Sequence, residues 1–250
     1  MITGIKVDTG AKALAEAEGE TVTEGLDGLR EHLGDHHRLG ARFAEWRAVI
    51  AIGDGLPSRY CISTNAHALG RYAVLCQEAG IVPIVEPEVV MDGNHSIERS
   101  EEVTREVLRA VFAELLDQRV LLEGMVLKPN MVLAAYDCPQ TAGVQEVAER
   151  TLTVLRQVVP AADPGIAFLS GGQRDELASA HLNAINTAIA PWQLTFSYGR
   201  ALQPTPLKIW AREECNASAA QTSFAHRARC TGEARAGRYT AALEHELAPT

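Results

Sequence analysis

Short apolar runs recur along the chain, and the stretches between them carry apolar residues at helical spacing. The runs predict strands at Gly4–Asp8, Trp46–Ile50, Ile81–Glu88, Met125–Asn130, Gly165–Gly171 and Leu194–Tyr198. The stretches between predict helices near Gly25–Gly40, Asn65–Ala79, Ser96–Arg119, Val144–Val158 and Arg174–Thr187, with more helix from Arg200 to about Arg229. Ser96 fits a helix N-terminus. Gly40 and Gly80 fit the positions just past a helix end, where a left-handed backbone closes the last turn. Strands that alternate with helices imply right-handed βαβ crossovers and a parallel sheet. No low-complexity segment or linker divides the chain, so residues 1–250 are expected to form a single domain.

Polar residues cluster where these strands end: Lys6 and Asp8, Glu86 and Glu88, Lys128 and Asn130, Ser170, then Tyr198 with Arg200. Strand ends that converge on one face describe the site of a (β/α)8 barrel. A doubly wound sheet also sets its site at strand C-termini, so the pattern favours the barrel without excluding the open sheet. Only six strand–helix units are visible, and the chain begins inside a strand with no preceding turn. The expectation is an incomplete TIM-type α/β barrel with strands 3–8 and their helices present. Open edges near Lys6 and Tyr198 then predict poor folding as a monomer or pairing with another chain.

Composition narrows the partners. The 46% hydrophobic and 22% charged content is that of an ordinary globular protein. A net charge of -9 argues against nucleic acid as the main partner but leaves room for a small phosphorylated ligand held by a few local cations. The five cysteines, Cys61, Cys76, Cys138, Cys215 and Cys230, form no C-x-x-C pair and suit a reducing, cytoplasmic setting. No secretory leader pattern follows Met1, and no run approaches the ~18 apolar residues of a membrane helix.

Lys128 ends an apolar strand. Burial disfavours an ammonium charge, and a neutral amine attacks ketones to give Schiff bases. The plain alternative is a lysine whose head reaches solvent. Glu86 and Glu88 lie two apart on a strand and share one face, where mutual repulsion favours a proton on one of them. Their plain alternative is pairing with a cation such as Lys128. Ser170-Gly171-Gly172 and Gly199-Arg200 each follow a strand, and such loops offer N–H groups and a guanidinium to phosphate, unless they are only tight turns. Leu169-Ser-Gly-Gly-Gln173 also spells the signature of ABC-transporter ATPases, but no G-x-x-x-x-G-K-[ST] loop accompanies it. His32 and His36 have metal-ligand spacing on a helix but lack a third ligand, so they read as a solvated face.

Together these stretches resemble the class I (Schiff-base) fructose-1,6-bisphosphate aldolases. The resemblance rests on Gly4-Ile-Lys-Val-Asp8, the segment from Gly19 to Gly28, Trp46-Arg47, Ile81–Glu88, Leu127-Lys-Pro-Asn-Met131, Phe168–Gln173, Leu182–Asn186 and Phe196–Gln203, in family order. It implies reversible cleavage of fructose 1,6-bisphosphate to dihydroxyacetone phosphate and glyceraldehyde 3-phosphate, without a metal or other cofactor. Lys128 matches the Schiff-base lysine, Glu86 the proton-shuttling carboxyl group and Glu88 its acidic neighbour. Ser170, Gly171, Gly172, Gly199 and Arg200 match the cradle of one phosphate, and Lys6 and Arg47 the cations near the other. The family is usually a homotetramer.

Two departures shape the expectation. The family carries two further βα units ahead of the point where Met1 falls, with an aspartate that takes part in cleavage. Glu45 stands where the family has an active-site lysine, and a carboxylate there would stabilise the Lys128 ammonium against attack. A catalytically impaired paralogue that binds phosphosugars or aldolase subunits without turnover is therefore the alternative to an active aldolase.

Overall fold

The computed structural model describes residues 1–246. Six strands form one wholly parallel sheet in the order β1 (Thr3–Lys6), β4 (Ala41–Ile50), β5 (Val82–Val89), β6 (Val126–Leu127), β7 (Gly165–Phe168) and β8 (Gln193–Phe196). The strands follow one another in space as in sequence, and α1 (Leu29–Arg38), α2 (Arg59–Glu78), α3 (Ile97–Asp117), α4 (Val144–Val158) and α5 (Asp175–Asn186) make the crossovers. This is the (β/α) order of a TIM-type barrel wall. Among the described residues the sheet has two edges, β1 and β8, and β1 is exposed throughout. Further elements include α6 (Pro204–Trp210), α7 (Ala217–Arg235) and a two-stranded antiparallel ribbon, β2 (Ala11–Ala13) with β3 (Thr21–Thr23).

The alternation along β4 explains the layers. Ala44, Trp46, Ala48 and Ile50 are buried beneath the helices, where the Trp46 ring lies 5.6 Å from that of Tyr72 on α2. Glu45, Arg47 and Val49 face the other way, into the sheet's inner face. On β5, Pro83, Val85, Pro87 and Val89 take the helix side, leaving Ile84, Glu86 and Glu88 on the inner side. Tyr72 crosses the helix layer and inserts its hydroxyl between these two strands. It donates to the Ala44 carbonyl (2.6 Å) and accepts from the Ile84 amide (3.1 Å).

Several expected boundaries shift. β4 begins at Ala41, five residues before the predicted Trp46, because Arg42 and Glu45, one on each face, break the apolar run that would mark its start. α2 begins at Arg59, where Ser58 caps it by accepting from the Cys61 amide at 3.0 Å. α1 begins only at Leu29, after the left-handed Gly28. The β6 ladder spans two residues instead of Met125–Asn130, and β7 stops at Phe168 short of Gly171. The chain beyond each still follows its neighbour, through Lys128 N–H to the Val85 carbonyl (2.8 Å) and Leu169 N–H to the Pro129 carbonyl (3.1 Å). Ser96 caps α3 by accepting from Arg99 N–H (3.3 Å), and Gly40 and Gly80 take positive φ at the ends of α1 and α2, as expected.

Candidate active site

The strand register decides which side chains meet. Arg47 lies opposite Glu86, and Glu45 opposite Ile84. Ile84 and Val85 pair with Val126 and Leu127, so one further step sets Lys128 beside Glu86. All four charged groups emerge on the inner face. Lys128 is only 7% exposed, and its Nζ lies 2.7 Å from Glu45 Oε2 and 3.3 Å from Glu86 Oε1. One nearly buried amine thus has two carboxylates. Burial raises Glu86 to about 7, with the Lys128 charge opposing and the Glu45 and Glu88 carboxylates reinforcing the rise. Its Oε2 has no hydrogen-bond partner. At neutral pH Glu86 is therefore divided between its acid and carboxylate forms, and the shorter contact with Glu45 is the lasting ion pair.

Glu88, also buried, is paired with Arg47 Nε rather than with Lys128. Burial works against the Arg47 charge, but Glu88, Glu86 and Asp8 more than offset it and hold the guanidinium above its ordinary range. Lys6, exposed at the end of β1, pairs with Asp8. Asp8 also accepts from the Arg47 amide (3.2 Å), which ties β1 to β4 beside these cations. Lys6 and Arg47 thus stand together at one side of the lysine, each offering a partly exposed cation.

Ser170-Gly171-Gly172 lies beyond β7. Gly171 and Gly172 have φ of 59° and 88°, a left-handed pair that suits residues without a Cβ. Arg200, at the next strand's end, reaches within 3.1 Å of the point where a Gly172 side chain would begin. Behind the turn lies a buried chain. Gln173 donates from its amide nitrogen to the Ser170 carbonyl (3.0 Å), and its Oε1 meets His181 Nδ1 at 2.6 Å. Because the Gln173 nitrogen is committed to Ser170, its oxygen must accept, so His181 carries its proton on Nδ1. Burial lowers His181 to about 4 and keeps it neutral. His181 has no sequence signal beyond being polar on a helix, and Gln173 was legible only as part of a glycine loop.

Two strand-end residues serve packing instead of chemistry. The Tyr198 hydroxyl turns away from the inner face and donates to the Ala178 carbonyl on α5 (3.1 Å). Asn130 accepts from Val89 N–H (3.0 Å) and donates to Thr104 (3.1 Å), joining β5, α3 and the loop after Lys128. His32 lies exposed on α1. Among the described residues His226, Cys230 and Glu244 lie close enough to share a metal. Both Glu244 oxygens are already held by Arg227, at 2.6 and 2.8 Å, so the trio lacks a free carboxylate.

A family model described as fructose-bisphosphate aldolase class-I matches residues 1–249. The chain belongs to the class I fructose-bisphosphate aldolase family. A relative from Xylella fastidiosa (strain 9a5c), named probable fructose-bisphosphate aldolase class 1, is 54% identical over 241 residues, which are 96% of this chain and 72% of the relative. Mouse fructose-bisphosphate aldolase C is 51% identical over 241 residues, 96% of this chain and 66% of its own length. The solved structure of Plasmodium falciparum fructose-bisphosphate aldolase, in complex with TRAP and a small-molecule inhibitor, superposes with a TM-score of 0.94 at 46% identity. It covers 96% of this chain and 70% of that one. The aldolase family thus accounts for the six-stranded parallel wall, and its members' names place the chain among carbon–carbon lyases. No helix among the described residues is long and apolar enough to cross a membrane.

Proposed function

We propose that Lys128 is the Schiff-base lysine of a class I aldolase site that cleaves fructose 1,6-bisphosphate reversibly to dihydroxyacetone phosphate and glyceraldehyde 3-phosphate. The observation that carries this reading is the nearly buried Lys128 amine, 3.3 Å from a Glu86 carboxyl group raised to about 7. Lys128 gives a proton to a neighbouring carboxylate and attacks the substrate's ketone carbon. Protonated Glu86 then supplies the proton with which the carbinolamine hydroxyl leaves as water. The resulting iminium draws the electron pair of the breaking carbon–carbon bond, and the proton of the adjacent hydroxyl passes to a base. The enamine is reprotonated and hydrolysed, which restores the amine. Glu88 orients Arg47. Lys6 and Arg47 receive one phosphate, while Ser170, Gly171, Gly172, Gly199 and Arg200 cradle the other. No step uses a metal or other cofactor.

The same reading takes residues 1–250 as one barrel-type domain, supported by a hydrophobic cluster that runs continuously from Leu14 to Ala234. Its partners are a phosphorylated sugar and further copies of the chain, in a cytoplasmic setting, with neither nucleic acid nor membrane involved. Borohydride reduction with dihydroxyacetone phosphate tests the core of the reading. A covalent adduct on the peptide holding Lys128, absent in Lys128→Met, is expected, and no mass increase in the unaltered chain would remove the covalent mechanism.

The Glu45–Lys128 pair favours a second reading, phosphosugar binding without turnover. A carboxylate 2.7 Å away stabilises the ammonium, and an ammonium has no lone pair with which to attack. Phosphate-dependent stabilisation with no triose phosphate formed would select this reading.

A further inference from the structure

Tyr136 lies in the loop between β6 and α4, far in sequence from both phosphate loops. Its backbone is fixed against the loop after β5. Ala135, Tyr136 and Asp137 donate in turn to the carbonyls of His95 (3.0 Å), Met91 (2.9 Å) and Gly93 (3.0 Å). From this anchored backbone the side chain crosses the turn at Gly171-Gly172. Its hydroxyl donates to the Gly171 carbonyl at 2.8 Å. It also comes so close to Gly172 that a Cβ there would collide with it, at the same point that lies 3.1 Å from Arg200 Nη1. A phenol hydroxyl, a glycine backbone and a guanidinium from three separate loops therefore meet in a space of a few ångströms. Tyr136 is half exposed, at 51%, so it is not sealed inside the core.

A neutral carbonyl is a modest acceptor beside an arginine. A phosphate oxygen between Gly172 and Arg200 would carry charge and accept the same proton more strongly. Burial raises the phenol, with Arg200 opposing, so Tyr136 enters as a neutral donor rather than a repelling phenolate. We infer that Tyr136 is a phosphate-contacting residue of this site, its hydroxyl turning from the Gly171 carbonyl to a phosphate group seated between Gly172 and Arg200. The inference rests on the cradle reading given above and adds a donor that the family resemblance did not assign.

The test measures binding of inorganic phosphate to the full chain by calorimetry, for the unaltered protein, Tyr136→Phe and Arg200→Ala. Tyr136→Phe keeps the ring and removes only the hydroxyl, and its thermal midpoint reports whether the fold is intact. The expected result is affinity weaker by about 3- to 15-fold in Tyr136→Phe and weaker still in Arg200→Ala. In turnover, most of the Tyr136→Phe change should fall on KM. Unchanged or tighter phosphate binding in Tyr136→Phe, with binding lost in Arg200→Ala, would overturn the role of Tyr136 and leave the cradle standing. Tighter binding would mark Tyr136 as an obstruction. Unchanged binding in both variants would overturn the cradle and the inference with it.

Discussion

Lys128 shares its amine between two carboxylates, and the two differ in what they do. Glu45 is the closer and is partly solvated, whereas Glu86 is buried and raised to about 7. Replacing Glu45 by Gln keeps the shape and removes the charge that favours the ammonium. Borohydride trapping on Lys128 at pH 7 should then run about three- to tenfold faster, and a slower or equal rate would show that Glu45 does not restrain the amine. Glu86→Gln should lower cleavage by about 10²- to 10⁴-fold and remove a limb near pH 7 from the rate profile, measured as triose phosphate release. The candidate residues were legible in the sequence, because Glu86 and Glu88 alternate on an apolar strand and Lys128 ends one. It did not show that Glu88 is taken by Arg47 while Glu86 is left for Lys128. That division depends on the stagger of three strands, which no single strand encodes.

At the scale of elements, the glycine turn after β7 is held from behind by Gln173 and His181 rather than by its own backbone alone. Gln173→Leu would leave the Ser170 carbonyl and the His181 donor without these bonds. It should cost about 1–3 kcal/mol in urea unfolding, and it should weaken phosphate binding although the substituted side chain would touch no ligand. His181 also gives this element a pH signature. Its proton affinity falls on folding, so the stability it supports is complete above about 6.5 and is lost as pH falls through about 4. The helices were the most readable elements, since Ser96, Gly40 and Gly80 sit where caps require them. The ribbon of β2 and β3 was not readable, because three-residue strands are too short to show a period. The early start of β4 was missed for another reason: Arg42 and Glu45 interrupt the apolar pattern that marks a strand.

For the molecule as a whole, the described sheet is unevenly secured. β4 and β5 are paired on both sides and covered by α2 and α3, while β1 is exposed and paired only with β4. Hydrogen exchange should therefore be slowest at Ala44–Ile50 and Val85–Val89 and fastest at Thr3–Lys6, and equal protection would contradict this gradient. Asp163, before β7, is fully buried. Its Oδ1 accepts from Gly165 N–H (3.2 Å) and its Oδ2 has no partner. Burial raises it to about 7, so the folded state favours the proton and stability declines as pH rises from about 4 through 7. Asp163→Asn should stabilise the protein at pH 8 by on the order of 1–3 kcal/mol relative to its effect at pH 5, followed as the shift in thermal midpoint. The parallel α/β order was legible from spacing alone, because each crossover fits a full helix between two short runs. The sheet's uneven protection was not, since it depends on which strands have neighbours.

Tyr72 gives the outer layer a direct hold on the strands that carry the candidate site. Its hydroxyl stands in the seam between Ala44, next to Glu45, and Ile84, two residues before Glu86. Tyr72 is thus a spacer rooted in a helix, standing between the two strands whose carboxylates share Lys128, in addition to the strand ladder. A spacer of this kind couples the tilt of α2 to the proton balance at the amine. Cutting it with Tyr72→Phe would let the seam close or slip, and the two lysine contacts would then change together although no site residue had been altered.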